Sequence, residues 1–176
     1  MKPNAIFRWS AVLLSVACLA WSGCGAPKPK ARAYDVVVEI DPSLREGSVR
    51  VDLVGVNPND RASWYGYSMY RYWLPDDTLR RDAQPYEMNF TGSPEPKTLK
   101  ATDSKWKTWL ASGATDLFVL VDLPRKSECD DRPGDSDPRR RILSLYDTIW
   151  AGGVKELRIR VQESGVSILT PLRAVK

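Results

Sequence analysis

Apolar and polar side chains alternate in several short segments, and this pattern constrains the fold more than any other feature. Residues 34–41, 48–56 and 156–161 place valine, isoleucine or leucine at nearly every second position, with charged side chains between them. Alternation with a period of two is typical of β-strands that bury one face. Residues 117–123 are instead almost entirely apolar, which predicts a central strand. The chain is therefore expected to be mainly β, with antiparallel pairing.

The remaining segments bring the prediction to seven strands and two helices. The segments 61–73 and 104–112 are expected to be helical, although the aromatic side chains of 61–73 would also suit a strand. We expect the first two strands to form a hairpin, and Ser164-Gly165 to be the tight turn between the last two. The predicted fold is an antiparallel β-sandwich of the transthyretin or immunoglobulin type with one or two inserted helices. The alternative is an α+β sheet with both helices on one face. The predicted strands are 34–41, 48–56, 86–91, 117–123, 140–146, 154–162 and 166–170.

The start of the chain has the composition of an export signal. Lys2 and Arg8 precede an apolar run of eleven residues, 11–21, in which only Ser15 is polar. As a helix this run is too short to cross a hydrocarbon core of about 30 Å. A basic start, a short apolar run and small residues after it are typical of a secretory signal peptide. We therefore predict that residues 1–23 are a signal peptide.

The small residues that follow the apolar run lead directly to a cysteine. The sequence Ser22-Gly23-Cys24-Gly25 resembles the signal of bacterial lipoproteins, in which a small residue precedes a cysteine that is lipidated and becomes the new N-terminus. Trp21 occupies the position where that family usually has leucine or another aliphatic residue. The resemblance implies several acyl chains on Cys24, and two or more chains anchor a protein stably. In that family, an aspartate directly after the lipidated cysteine favours retention in the inner membrane. The resemblance, with Gly25 at this position, implies the outer membrane of a diderm bacterium, with the protein facing the periplasm; the alternative is the cell membrane, if the lipoprotein is retained there.

Residues 24–33 differ in composition from the rest of the chain. Pro27 and Pro29 prevent a continuous helix, so we predict an extended, basic tether ahead of a single domain at 34–176. Residues 1–33 hold five basic side chains and no acidic one, which leaves 21 basic against 22 acidic side chains in the domain. The nearly neutral domain has no basic stripe of the kind that binds nucleic acid.

The absence of histidine excludes several kinds of catalytic and metal site. No Ser-His-Asp triad, Cys-His pair or histidine-ligated metal can be built from this chain alone. With Cys24 acylated, Cys129 is left as a lone thiol without a histidine base or a disulfide partner. We expect no catalytic residue, no cofactor and no metal.

A charged segment near residue 130 has two possible interpretations. Aspartates at 130, 131, 135 and 137 could bind a cation, but their spacing does not fit an EF-hand and prolines interrupt them. A solvated loop is the favoured interpretation. Arg139-Arg140-Arg141 could contact phosphate or anionic lipid, but pairing with the nearby aspartates is favoured.

The densest aromatic segment of the chain is the candidate binding surface. Residues 64–73 hold six aromatic side chains, more than one helix face can bury. The alternative is that they pack a helix onto a sheet. The candidate residues for a ligand or partner are Trp64, Tyr67, Tyr70 and Trp73.

The layout of signal, lipidated cysteine, short tether and sandwich is similar to that of the outer-membrane lipoproteins of type VI secretion complexes. In that family, loops at one end of the sandwich hold an inner-membrane partner protein. The resemblance implies a non-catalytic assembly or scaffold subunit of the cell envelope, bound to membrane lipid and to a protein partner. The alternative is a periplasmic module that binds glycan or peptidoglycan through the aromatic segment.

Overall fold

The computed structural model describes residues 29–44, 46–92, 95–123 and 126–174. The predicted signal peptide and Cys24 lie outside these residues. The described part holds eight strands, four short α-helices and several 3-10 turns. The strands are β1 (Asp35–Ile40), β2 (Ser48–Val56), β3 (Tyr86–Thr91), β4 (Lys97–Leu99), β5 (Asp116–Asp122), β6 (Arg140–Ser144), β7 (Glu156–Gln162) and β8 (Gly165–Ile168). The helices are α1 (Arg61–Gly66), α2 (Met69–Tyr72), α3 (Thr78–Ala83) and α4 (Ser104–Ala111).

The strands form two four-stranded sheets that pack face to face. The first sheet has the order β4-β1-β7-β8, and the second has the order β3-β2-β5-β6. All pairs are antiparallel except β1 and β7, which run parallel with Val36 opposite Leu157. The predicted mainly-β sandwich with inserted helices is confirmed, and β5 is the central strand that its apolar sequence predicted.

One predicted pairing is wrong. The first two strands do not form a hairpin, because β1 belongs to the first sheet and β2 to the second. Each sheet buries one face against the other, so the connection between β1 and β2 crosses from sheet to sheet instead of turning back within one. The last predicted hairpin is present, with Gln162 of β7 opposite Gly165 of β8.

The helices also depart from the prediction in detail. The segment predicted as one helix over 61–73 is two short helices, because Tyr67 and Ser68 are extended and the Ser68 hydroxyl accepts the Arg71 N–H as the cap of α2. Helix α3 was not predicted, although Asp77 caps it through the Arg80 N–H. Helix α4 matches its prediction within one residue, and it buries Trp106 and Trp109.

The main core lies between the two sheets. It is built from the alternating apolar positions of the strands, such as Val38, Leu53 and Val119, which are fully buried. Helix α4 closes one end of this core, and Gly55 of β2 allows its close approach, since a Cβ there would lie 2.5 Å from the Cγ of Trp109. A second apolar cluster lies on the outer face of the second sheet, beneath α1, α2 and α3.

The segment predicted to be a tether meets the sandwich before residue 34. Ala31 forms a β-bridge with Tyr146, and the Arg32 N–H donates to the Leu145 carbonyl at 3.1 Å. This contact lies just beyond the last residue of β6. We call this end of the sandwich the tether end, and the opposite end, where β5 leads into β6, the distal end.

Candidate docking surface

Helices α1, α2 and α3 form a layer that covers the outer face of the second sheet. We call this layer, residues 61–83, the helical layer. Its buried aromatic rings pack on the sheet, with the centroids of Trp64 and Phe118 5.9 Å apart and those of Trp64 and Tyr72 6.1 Å apart. Val54 and Leu120 complete the cluster from the sheet side. The part of the outer face around Asp52, Val54 and Leu120 is therefore buried, whereas the alternation of β2 predicted an exposed face.

Arg140 is the first residue of β6, and its side chain joins the helical layer to the loop between β5 and β6. Its side chain is fully buried, and it donates to the carbonyls of Trp64 at 2.6 Å and Tyr67 at 3.1 Å. On the loop side it donates to the carbonyls of Gly134 at 3.1 Å and Arg132 at 2.7 Å. Burial lowers the pKa of Arg140. Because these carbonyls have this guanidinium as a donor, Arg140 fixes how two irregular segments sit against each other.

Arg139 and two aspartates make a second connection between the same segments. The Arg139 Nε donates to Asp137 at 2.9 Å, and its Nη2 donates to Asp131. Asp131 in turn accepts from the Ser68 hydroxyl and from the Tyr70 N–H at 3.0 Å, at the start of α2. The predicted pairing of the arginine run with the neighbouring aspartates is confirmed for Arg139 only, since Arg140 and Arg141 donate to backbone carbonyls. Asp137 is fully buried, so this part of the acidic segment is an ordered structural element and not a solvated loop.

A buried carboxylate secures the helical layer from the sheet side. Asp52 of β2 accepts from the Tyr72 hydroxyl at 2.8 Å and from Nε of Arg80 at 2.7 Å. Burial raises the pKa of Asp52, while the Arg80 guanidinium and the Tyr72 hydroxyl act in the opposite direction. Arg80 also contacts Glu87 at 3.0 Å. Burial and the facing carboxylate raise the pKa of Tyr72, so its hydroxyl stays a hydrogen-bond donor.

The outer side of the helical layer exposes large apolar side chains around small clefts. Tyr70 is 43% exposed and Leu74 is 44% exposed. They line a cleft of about 180 Å³ together with Trp73, Arg50 and Lys126. Leu74 also borders a second cleft of about 370 Å³ beside Tyr67 and Arg71.

The four predicted surface residues do not share one environment. Trp64 is only 7% exposed and lies in the apolar cluster, so it does not belong to the surface. Tyr67 is half-buried, and its hydroxyl donates to Asp77 at 2.6 Å, which raises the pKa of Tyr67. Tyr70 and the half-buried Trp73 both line the smaller cleft.

Trp73 lies between two guanidinium groups. The Arg50 and Arg80 guanidinium carbons lie 5.0 and 5.2 Å from its ring centroid, within the range of cation–π contacts. Its indole Nε1 is buried without a hydrogen-bond partner in the described part of the chain. The arrangement holds the ring in place and leaves one polar atom unsatisfied.

Two contributors to this site were missed by sequence reasoning. Leu74 borders both clefts, but a single leucine before a proline carries no periodic signal. Arg140 fixes the layer, but a basic residue next to two others in the sequence has no feature that marks it as buried. The outward-facing Phe118 and Leu120 of β5 were the available signal that something must cover this face.

The described residues add little chemistry beyond this surface. They contain no group of three or more acidic, cysteine or histidine side chains that could hold a metal ion. Cys129 is exposed in the loop between β5 and β6, at the distal end. The longest described helix, α4, has 8 residues, and none of the described helices could span a bilayer.

Comparison with known proteins gives matches of structure only, since no family model and no curated protein matches the sequence. A chain of a solved type VI membrane complex is 11% identical, with a TM-score of 0.52 over 80% of this chain and 99% of its own. A chain in the structure of the type VI secretion TssM C-terminal domain from EAEC is 9% identical, with a TM-score of 0.51 over 77% and 99%. The type VI lipoprotein TssJ1 from Pseudomonas aeruginosa is 13% identical, with a TM-score of 0.48 over 83% and 99%. The chain thus shares its sandwich fold with components of type VI secretion structures, in line with the layout-level resemblance of its sequence.

Proposed function

We propose that this protein is an exported, lipid-anchored subunit of a bacterial secretion complex of the type VI class, with a structural and not a catalytic role. The observation that carries the proposal is the likeness of its sandwich to a chain of a type VI membrane complex, over 80% of this chain. The lipoprotein-like signal before Cys24 supports it independently, because that signal lies outside the sandwich. Together they favour an outer-membrane lipoprotein that faces the periplasm and binds another envelope protein.

The tether in this proposal is short. Ala31 already contacts the sandwich, so seven residue steps separate an acylated Cys24 from the folded domain. A fully extended chain of that length spans at most about 25 Å. The tether end therefore stays close to the membrane, and the distal end points into the periplasm.

The partner surface in this proposal is the cleft around Tyr70, Trp73 and Leu74. Arg139 lines this cleft where β6 begins, while the tether joins beyond the last residue of β6. The cleft and the tether contact therefore lie at opposite ends of β6, so the partner surface is farther from the membrane than the tether end by about the length of this strand. Tyr70, Trp73 and the partly exposed Arg50 line this cleft together, and tyrosine, tryptophan and arginine are the residue types that dominate protein interfaces.

A second candidate function is glycan binding at the same cleft. The observation that favours it is that the exposed Tyr70 and the half-buried Trp73 line the same cleft, and that the indole Nε1 of Trp73 has no hydrogen-bond partner among the described residues. Calorimetric titration with soluble peptidoglycan fragments tests it: saturable heat that Tyr70→Ala abolishes would favour glycan binding, and no heat would leave the protein-partner proposal as the better one.

The anchor is tested by the intact mass of membrane-extracted protein. We expect a mature chain that begins at Cys24 and carries added acyl mass. Cys24→Ser abolishes the acyl mass, whereas the matched control Cys129→Ser retains it. A chain that keeps residues 1–23 without acyl groups would contradict the anchor, as would a soluble chain cut near Gly23.

A further inference from the structure

The tether end of the sandwich exposes a group of aliphatic side chains. Leu172 is 63% exposed, Ile149 is 43% exposed and Leu169 is 40% exposed. We propose that these three residues, here called the aliphatic patch, lie in the headgroup region of the membrane, so that the folded domain itself contacts the lipid surface. This inference rests on the proposed anchoring at Cys24 and adds a second point of contact.

The patch is built on paired backbone. Trp150 and Leu172 form a β-bridge, the Arg173 N–H donates to the Ile149 carbonyl at 2.9 Å, and the Ala151 N–H donates to the Pro171 carbonyl at 3.1 Å. Trp150 lies buried beneath, and its Nε1 donates to the Ser144 carbonyl at 2.9 Å. The two segments are therefore fixed to the sandwich, and the exposure of their aliphatic side chains is a property of the folded domain.

The chain that leads to Cys24 leaves the sandwich beside this patch. Ala31 bridges Tyr146, three residues before Ile149. The Arg32 guanidinium donates to the Val154 carbonyl at 2.6 Å, three residues after Ala151. The contacts of the tether thus lie on both sides of the segment that carries Ile149. An acyl group seven residue steps away holds this end of the domain within about 25 Å of the membrane.

The charges around the patch suit an anionic lipid surface. Lys30, Arg32, Lys155 and Arg173 are exposed at this end, against the exposed Asp147 and Glu156. Basic side chains next to aliphatic ones are the usual composition of surfaces that lie in the membrane interface. A protein partner could also cover aliphatic side chains, but the tether keeps this end next to lipid, which makes lipid the occupant that we infer.

The experiment compares the two ends of the full-length protein by fluorescence quenching. The acylated chain is placed in phosphatidylethanolamine and phosphatidylglycerol vesicles that contain a lipid with a nitroxide near the headgroup. One sample carries a fluorophore at a cysteine from Leu172→Cys in a Cys129→Ser background. The matched control carries the same fluorophore on the native Cys129 at the distal end. Leu172 is already exposed, so the substitution leaves the packing intact.

The inference predicts that the label at 172 loses most of its fluorescence while the label at 129 is unaffected. If the nitroxide lipid quenched the labels at 172 and 129 to the same extent, the inference would be overturned. Covalent crosslinking of residue 172 to a protein in native membranes would also overturn it. Failure of the anchor is seen separately, as missing acyl mass. In that case the unacylated protein is mixed with the same vesicles, and quenching at 172 still supports the lipid contact while its absence overturns it.

Discussion

The two apolar layers of this protein are built by different means. The core between the sheets is built mainly from alternating strand residues such as Val36, Leu53 and Ile159, with Trp106 and Trp109 of α4 at one end. The layer on the outer face of the second sheet joins aromatic rings to two buried charges, Asp52 and Arg140. Strand alternation is thus enough to assemble the sandwich, whereas the position of the helical layer depends on buried hydrogen bonds.

This difference concerns function, because the helical layer carries the proposed partner surface. Short helices of four to six residues have little stability of their own. The carbonyls that Arg140 satisfies and the carboxylate that Tyr72 and Arg80 satisfy hold them in one arrangement. Three variants compare the two layers and a fourth probes the exposed face of the first sheet, in order of decreasing expected effect.

Arg140→Met is expected to have the largest effect. It removes the guanidinium donor from the carbonyls of Trp64, Tyr67 and Arg132, while the Gly134 carbonyl keeps the Asp137 N–H. A buried acceptor that loses its donor costs about 1–3 kcal/mol. We expect the free energy of unfolding to fall by about 3–5 kcal/mol in urea titrations. The matched control is Arg141→Met, which removes the next guanidinium, a partly exposed group that also donates to carbonyls. Equal losses for both variants would contradict the special role of Arg140.

Gly55→Ala tests the inner core through its contact with α4. The new Cβ would lie 2.5 Å from Trp109, so the ring must move, and overpacking of this kind costs about 1–3 kcal/mol. The control is Gly66→Ala in the helical layer, where nothing lies within 4 Å of the added Cβ. Thermal unfolding should show a lower midpoint for the first variant and an unchanged or slightly higher midpoint for the second, because alanine restricts the unfolded chain. If Gly66→Ala lowered the midpoint more than Gly55→Ala, the close approach of Trp109 to Gly55 would not be what limits this position.

Tyr72→Phe removes one donor from Asp52 while Arg80 keeps the other. A hydrogen bond between neutral groups is worth about 0.5–1.5 kcal/mol and one to a charged group about 1.5–3 kcal/mol. Because Asp52 keeps Arg80 as a donor, we expect a loss near the boundary of these ranges, about 1.5 kcal/mol. Tyr70→Phe, on the exposed side of the same helix, should leave stability unchanged. Chemical denaturation of both variants decides the point, and a neutral Tyr72→Phe would show that the layer does not need this contact.

Glu39→Gln is expected to have the smallest effect on the free energy of unfolding. This effect should be seen only as a change in how the free energy of unfolding depends on pH. Arg158 and Arg160 lower the pKa of Glu39 on the exposed face of the first sheet. A lowered pKa in the folded state stabilises the protein above the ordinary value of 4.5, and that contribution is lost as the pH falls through the folded-state pKa. Unfolding at pH 3 and pH 7 should therefore differ less in Glu39→Gln than in wild type. An unchanged pH dependence would mean that this exposed pair contributes nothing measurable.

The same contrast explains what the sequence could predict. Strands with one buried face keep their alternation, so β2 and β3 fall at the predicted residues and α4 within one residue. Strand pairing depends on contacts between residues far apart in the sequence, so the alternation of β1 and β2 could not show that they belong to different sheets. The burial of Asp52 and Arg140 was not predicted, because charged residues on alternating positions normally face water. Only the apolar outward side of β5 indicated that a layer would cover it.

The aromatic segment shows the same division between what a sequence pattern and what tertiary contacts determine. Six aromatic residues in ten implied both packing and exposure, and the structure divides them accordingly, with Trp64 and Tyr72 inside and Tyr70 outside. The place of Leu74 in this surface follows from the structure alone, in which the residue lies between α2 and α3 and borders two clefts. Composition indicated the region, and tertiary contacts decided which side chains face outward.

The most direct test of the docking surface is site-specific photocrosslinking in the native envelope. A benzophenone amino acid replaces Leu74 in one strain and Lys107, an exposed residue of α4 at the tether end, in another. We expect a covalent adduct from position 74 with an envelope protein that mass spectrometry identifies as a subunit of the same secretion complex, and no such adduct from position 107. An adduct from position 107 alone, or none from position 74 in protein that is acylated and folded, would contradict the proposed docking surface.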